Sequence, residues 1–406
     1  MSRFDTYFLM KEPDVIEYVR IKVPQMDWDA ATMNSREIGD GNLNYVFKVT
    51  DALGHSVIVK QAGEELRISR EMKIDTDRNR IESEILILQG KLAPGYVPRI
   101  YDYDTTMCAC CMEDLSDHIL MRTAMLQHKI YPKFAEQISD FMAPVLMGTT
   151  DVVMDHQEKK ALQRKFISPQ LCDITEALVY TEPYNDELGR NNVFAPNAAF
   201  VKEKLYGDTA LHLEVAKLKM DFMTRAQSLI HGDLHTGSIF INDADTRVFD
   251  PEFAFYGPMG YDIGNVIANM IFAWCNGDAY GETEFCAWVE SVIRDVVNLT
   301  MEKMGKYYDE HVTDTMAKAP GYKEYYMASI LSDTAAVTGL ELNRRTVGMA
   351  NVKDLTTIPD EAKRARAERI CMTAAIDFIK NRADKHCGNC FLNTLKDAVK
   401  AVDAQG

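Results

Sequence analysis

Three carboxylates and their spacing carry most of the chemistry that this sequence advertises. Asp233 sits in a polar loop with His231, His235 and Ser238, between an apolar run at Leu229–Ile230 and another at Ile239–Ile241. A lone carboxylate held this way is what a general base needs. Shortly afterwards Asp250 and Glu252 flank Pro251. At an i, i+2 spacing on an extended segment they project the same way and can share a cation.

Other parts of the chain have to position this set. Gly39, Gly41 and Asn44 lie between one strand and its returning partner, Tyr45 to Val49, and glycines there let backbone N–H groups approach an anion. A hairpin of that kind is common without any function. The next apolar run, Ser56 to Val59, ends in Lys60, which either snorkels to water or reaches the anion at the hairpin. The spacing then predicts a helix from about Asp77 to Gln89, with Ile81, Ile85 and Leu88 on one face and Gly90 as its stop. It carries Glu82 and Glu84, either of which could pair with Lys60.

Met107 to Met112 reads as a buried strand, and Glu113, Asp114, Leu115 and Ser116 follow as an acidic turn. That change marks a domain boundary near 112–117, whose backbone is free to bind an adenine edge. Residues 1–34 read as a helical lead-in broken at Pro13 and Pro24. Beyond the boundary the chain is helical by its 3.6-residue apolar spacing, including 284–304, 322–349 and 362–380. Asp262 precedes an apolar helix, Val266 to Trp274, as an N-cap would. Arg344 and Arg345 follow a small, apolar run and are placed as anion or sugar ligands.

Composition narrows the function classes. A chain of 406 residues exceeds one core and should divide in two. Its net charge of −16 argues against a general affinity for nucleic acid or anionic membrane. Nine scattered cysteines read as reduced thiols of a cytoplasmic protein. Cys108, Cys110 and Cys111 together with His386, Cys387 and Cys390 could ligate zinc, although the first group reads as a buried strand. The amino terminus lacks the pattern of a signal peptide. The nearest approach to a membrane span, Val266 to Cys275, is short and broken by Asn269.

Taken in order, the glycine pair with Asn44, Lys60, a helical glutamate, the acidic turn, His231-Gly232-Asp233 and Asp250-Pro251-Glu252 resemble the aminoglycoside-phosphotransferase-like, or choline-kinase-like, branch of the protein-kinase fold. Longer strings, such as those around Gly39–Phe47, Met112–Ser116, Ile230–Phe240, Asp250–Pro258 and Arg344–Gly348, are similar to the members of that family that act on S-methyl-5-thioribose. The resemblance spans about 35–355 and implies a bilobal α+β fold. A small lobe at 1–112 would carry an antiparallel sheet and one helix, 113–117 would be a hinge, and 118–406 would form a larger helical lobe.

The resemblance also implies a kinase that uses ATP and Mg²⁺ to phosphorylate the sugar's anomeric hydroxyl in methionine salvage, as a cytoplasmic homodimer. It makes Asp233 the base and Asp250 and Glu252 the metal ligands, and gives ATP to Gly41, Asn44, Lys60, Glu82, Met112, Glu113, Asp114, Leu115 and Pro251. Arg344 and Arg345 would bind substrate, and Asp262 would anchor the loop from behind. Where the wider pattern has asparagine the chain has Ser238, which leaves a second metal ligand there open. The rivals are a kinase of another alcohol (choline, homoserine or an aminoglycoside) and a non-catalytic nucleotide-binding scaffold. Arg344 and Arg345 would repel a cationic acceptor.

Overall fold

In Ser56–Ala62 every second residue is buried, as in a strand with one face on a core. In the computed structural model, which describes residues 2–38, 44–63, 65–66, 69–73 and 77–404, that strand is the centre of a sheet. The chain divides into two compact units, Met1–His118 with Arg247–Ala254, and Ile119–Thr246 with Phe255–Gly406.

The first unit opens with helix α1 (Glu12–Lys22) and continues through strands β1 (Asn34–Glu37), β2 (Asn44–Thr50) and β3 (Ser56–Ala62). Pro13 stands in the first turn of α1, where its missing N–H is no loss, so it starts the helix and does not break it. Helix α2 (Asp77–Leu92), β4 (Ile100–Asp104) and β5 (Ala109–Glu113) complete the unit's main elements. The strands pair antiparallel in the order β1-β2-β3-β5-β4. Val57, Val59, Phe47, Val49, Ala109 and Cys111 face Val15, Tyr18 and Val19 of α1, forming the unit's core. Strand alternation sends Lys60 to the opposite face. Gly90 does not end α2, which runs on to Leu92. Its missing side chain instead makes room, since a Cβ there would lie 3.3 Å from Val97.

The second unit begins with β6 (Ile119–Leu120) and α3 (Met121–Leu126), then α4 (Phe134–Gly148). Strands β7 (Ser228–Ile230), β8 (Ile239–Ile241) and β9 (Phe255–Gly257) bracket the catalytic-type loop, with β8 paired to β6 and β9 to β7. The long helices α5 (Gly260–Tyr280), α6 (Thr283–His311), α7 (Tyr322–Val347) and α8 (Glu361–Lys380) form the body, and α9 (Gly388–Asp403) closes the chain. Nearly every residue of α5 is buried. Glycines let α5 and α7 meet backbone to backbone: a Cβ on Gly264 would lie 2.8 Å from the Thr334 carbonyl and the Thr338 nitrogen. This close approach puts the carboxyl end of α7 beside the loop that α5 supports. No helix among the described residues is long and apolar enough to cross a membrane.

The cysteines are all free. Burial in β5 pushes the Cys110 thiol up to about 12 and raises Cys111 well above the usual thiol range, the behaviour of core residues. Cys387 and Cys390 face each other at 3.2 Å at the start of α9.

Candidate functional site

A buried cluster of ionisable side chains lies in each unit. In the first, the ammonium of Lys60 leaves β3 and meets Glu82 Oε1 of α2 at 2.8 Å and Asp250 Oδ1 at 2.5 Å. Of the two glutamates open to the lysine, Glu82 therefore takes the contact, while Glu84 pairs one turn back with Arg80 at 3.1 Å. Asp250 and Glu252 do not lie on an extended strand. Asp250 adopts a left-handed φ of 67°, a conformation that costs about 1–3 kcal/mol in most residues but is tolerated best by Asp and Asn. Pro251 to Ala254 then form a turn closed by the Ala254 N–H donating to the Pro251 carbonyl.

Glu252 is buried, with Oε2 3.8 Å from Arg78 Nε. Arg78 is itself almost fully buried and donates to Asn44 Oδ1 and to the Gly63 carbonyl, each at 3.2 Å. Asn44 thus turns its side chain into the unit and helps to fix Arg78. Gly41 lies outside the described residues.

The electrostatics of this cluster follow from too many carboxylates in too little water. Burial, together with the charge of Asp250, pushes Glu252 up to about 8 despite Lys60 and Arg78. Burial likewise pushes Glu82 up to about 7, against the pull of Lys60. Burial pulls against the lysine's charge, but Asp250, Glu82 and Glu252 outweigh it and hold Lys60 protonated.

The segment after β5 is braced internally. Asp114 accepts from Lys48 at 2.6 Å and from the hydroxyls of Ser56 and Ser116, both at 2.5 Å. The Glu113 N–H donates to the Arg99 carbonyl, and its carboxylate accepts from the Arg99 N–H at 3.0 Å. Met112 and Leu115 are buried apolar side chains.

In the second unit, the loop between β7 and β8 is pinned from two sides. Asp262, inside the first turn of α5 and not its cap, accepts from the N–H groups of His231 at 2.7 Å and Gly232 at 3.0 Å. Gly232 has φ +80°, which a side chain would resist. Asn269, two turns further along α5, accepts from the Thr236 hydroxyl at 2.9 Å. The Ser238 hydroxyl donates to the Asp233 carbonyl at 2.8 Å, so it is spent on the loop's own shape.

These anchors present Asp233 to a wall of nitrogen donors. Arg345 NH2 lies 4.0 Å from Oδ1, and His235 Nε2 lies 3.4 Å from Oδ2. The Gly237 N–H donates to His235 Nδ1, which places the proton of the neutral ring on Nε2, facing Asp233. Burial and the neighbouring arginines keep that ring neutral, lowering it to about 3 although Asp233 pulls the other way. Burial would raise Asp233, but the Nε2–H of His235 and the charges of Arg344 and Arg345 prevail and hold it well below the usual carboxylate range. The two arginines share one buried acceptor: Arg344 NH1 and Arg345 Nε each lie 3.0 Å from a different oxygen of Glu341.

The structure therefore joins Lys60, Glu82, Asp250 and Glu252 in one cluster and Asp233, Arg344 and Arg345 in another. Sequence reasoning missed Arg78, Glu341, His235 as a donor, and Arg122 of α3, whose guanidinium packs on the loop at Gly237. Glu341 had a signal: it stands three and four residues before the arginines, at helical pairing distance. Arg122 had none.

Cation binding can be tested on the first cluster's own atoms. Glu252 Oε2 is buried without a hydrogen bond, and Asp250 and Glu252 are oxygen donors of the kind Mg²⁺ takes. Among the described residues no group of three or more His, Cys, Asp or Glu side chains is placed to hold a metal. A cation here would complete its shell with water and phosphate oxygens, as Mg²⁺ does at nucleotide sites.

Comparison with known proteins gives the chain a family. Residues 35–290 match the phosphotransferase enzyme family. The chain is 36% identical over 376 residues to the methylthioribose kinase of Yersinia enterocolitica, covering 91% of this chain and 92% of that protein. It is 36% identical over 385 residues to the methylthioribose kinase of Erwinia tasmaniensis, covering 93% and 95%. Among solved structures, choline kinase from Cryptosporidium parvum is similar with a TM-score of 0.50 at 13% identity, covering 96% of each chain, a likeness of fold. With a family match over most of its length and relatives aligned nearly end to end, the chain belongs to the phosphotransferase enzyme family.

Proposed function

We propose that the protein transfers the γ-phosphoryl group of ATP to the anomeric hydroxyl of S-methyl-5-thioribose, the acceptor named for its 36%-identical relatives. The observation that carries the reading is Asp233, held ionised on a pinned loop and faced by arginines. An acceptor hydroxyl donates to such a carboxylate and is aimed by it. Because the Asp233 carboxyl is so weakly basic, it receives the proton late, as the loose transition state acidifies the hydroxyl, and serves first to orient. Arg344 and Arg345 bind the acceptor and offset charge on the moving phosphoryl group.

In the first unit Lys60, steadied by Glu82, takes the α- and β-phosphates, and Asp250 and Glu252, flanking Pro251, hold Mg²⁺. Bound there, Mg²⁺ would neutralise phosphate charge. Gly41 and the start of the strand at Asn44 cover the phosphates. Met112 and Leu115 offer apolar surface to adenine, and the backbone of 113–117, the proposed hinge, meets its edge. Asp114 braces that segment through Lys48 and Ser56. Ser238 shapes the loop, leaving the metal to the two acidic residues. Free cysteines throughout suit a reducing cytoplasm. The homodimer is tested by light scattering at working concentration.

Phosphorus NMR of the product from ATP and methylthioribose decides the main reading. A phosphomonoester coupled to the anomeric proton is expected. Turnover of choline or homoserine in place of the sugar, or ATP binding with transfer to no acceptor, overturns it.

A further inference from the structure

Of the three arginines near Asp233, Arg344 and Arg345 share an acceptor, whereas two nitrogens of Arg122 have none among the described residues. Arg344 and Arg345 are each held by Glu341 at 3.0 Å. Arg122, at the start of α3, has Nε and NH2 buried with no hydrogen-bond partner. A guanidinium presents five donors, and burying them unpaired is costly unless a ligand supplies acceptors. Its position is specific. A Cβ on Gly237 would lie 2.8 Å from both Cζ and NH2 of Arg122, so the guanidinium lies against the catalytic-type loop at the residue with no side chain. The charged groups that act on it are Arg345, Asp354, Asp233 and Glu341, which places it in the same charged neighbourhood.

We infer that Arg122 binds the phosphoryl group on the acceptor side, its unpaired fork taking the oxygens of the sugar phosphate as that group arrives on the anomeric oxygen. The inference rests on the kinase reading above and adds a division of labour to it. Arg344 and Arg345, tethered by Glu341, form a fixed wall that meets the acceptor before transfer. Arg122, with Nε and NH2 unpaired, gains partners for them when the phosphate is there. A group that interacts with the transferred phosphate and not with the free sugar acts on kcat and on product affinity, leaving sugar affinity almost unchanged. Lysine would keep the charge but lose the two-pronged geometry.

The test is calorimetric titration of wild type, Arg122→Gln and Arg122→Lys, each confirmed folded by thermal melting, with methylthioribose, its 1-phosphate and inorganic phosphate as separate probes. The expected result is sugar affinity within about twofold in all three proteins, since nothing that binds the sugar has been removed. Affinity for the sugar phosphate should fall roughly 10- to 100-fold in Arg122→Gln and less in Arg122→Lys, the loss typical of a charge-assisted hydrogen bond. Unchanged sugar-phosphate affinity, or equal weakening of sugar and sugar phosphate, overturns the inference. If wild type binds neither sugar nor sugar phosphate, the substrate reading falls, and inorganic phosphate decides Arg122 by itself. Affinity lost in Arg122→Gln and partly kept in Arg122→Lys then upholds the anion site, and identical affinity in all three proteins overturns it.

Discussion

Around Lys60, three carboxylates crowd one ammonium and one buried guanidinium; around Asp233, two carboxylates, Asp233 and Glu341, meet three arginines. Both clusters are buried, and burial alone would raise every carboxyl in them. The outcomes are opposite, because the neighbours differ. Glu82 and Glu252 go up, to about 7 and about 8, while Asp233 goes down. The first cluster is short of a cation and the second is ready for an anion. A phosphoryl-transfer enzyme needs both conditions, one for a metal nucleotide and one for the group being moved.

The sharpest way to break this comparison is to remove the depressed carboxylate. Asp233→Asn keeps the shape and loses the charge. Turnover is expected to fall about 10²- to 10⁴-fold with ATP affinity retained, and a steady-state assay with a nucleotide titration reads both. Next, Glu252→Gln should raise the Mg²⁺ concentration for half-maximal activity roughly tenfold or more, and Ser238→Ala should leave it unchanged. Equal shifts would return Ser238 to the metal.

Removing one cation from each cluster compares them directly. Lys60→Met strips the carboxylate-rich cluster of its ammonium and should cost about 3–5 kcal/mol in denaturant melts, as breaking a buried pair does. Arg344→Met should cost less, because Glu341 keeps Arg345.

The smallest effect is a pH dependence. A carboxyl whose folded pKa is raised binds its proton more tightly in the folded state, so it favours folding progressively as pH falls from its folded value towards the unfolded one, and disfavours folding above. For Glu252 that window runs from about 8 down to the ordinary glutamate range. Melting temperature without metal should therefore rise modestly as pH is lowered through it. Added Mg²⁺ should stabilise more at pH 8.5 than at 6.5, where the carboxyl is occupied by a proton. A Glu252→Gln protein should lose the Mg²⁺ trend and keep only the part of the melting trend that Glu82, raised to about 7, supplies.

The parts of this arrangement that could be read in sequence are the parts that are local. Asp233 in its loop, Lys60 after an apolar run and the Asp250–Glu252 pair announce themselves within a few residues, and periodicity located α2, α7 and α8. The pattern also held a signal for α9 that went unused: Phe391, Leu395, Ala398 and Val402 recur at helical spacing and are buried. Gly90 and Pro13 misled because the same residue type can end a helix, start one or make room for a neighbour, and only packing decides. What had no sequence signal was proximity across the chain. Arg122 meets Gly237 through the way α3 is packed, and no window of residues contains that pair; that Asp262 anchors the loop at His231 came from the family resemblance and from no spacing.

The first unit is also discontinuous, because Arg247–Ala254 belongs to it although all of Ile119–Thr246 lies between. During synthesis the ribosome therefore releases β1 to β5 well before the segment that brings Asp250 to Lys60. At about 5–20 residues per second that interval is on the order of ten seconds. Through it Lys60 has Glu82 alone, and the nascent amino-terminal unit must wait, unfinished, for a piece made after Ile119–Thr246 of its neighbour's chain. A gene cut at the unit boundary would make this wait permanent, so the two halves should recover ATP binding only when expressed with residues 247–254 joined to the first.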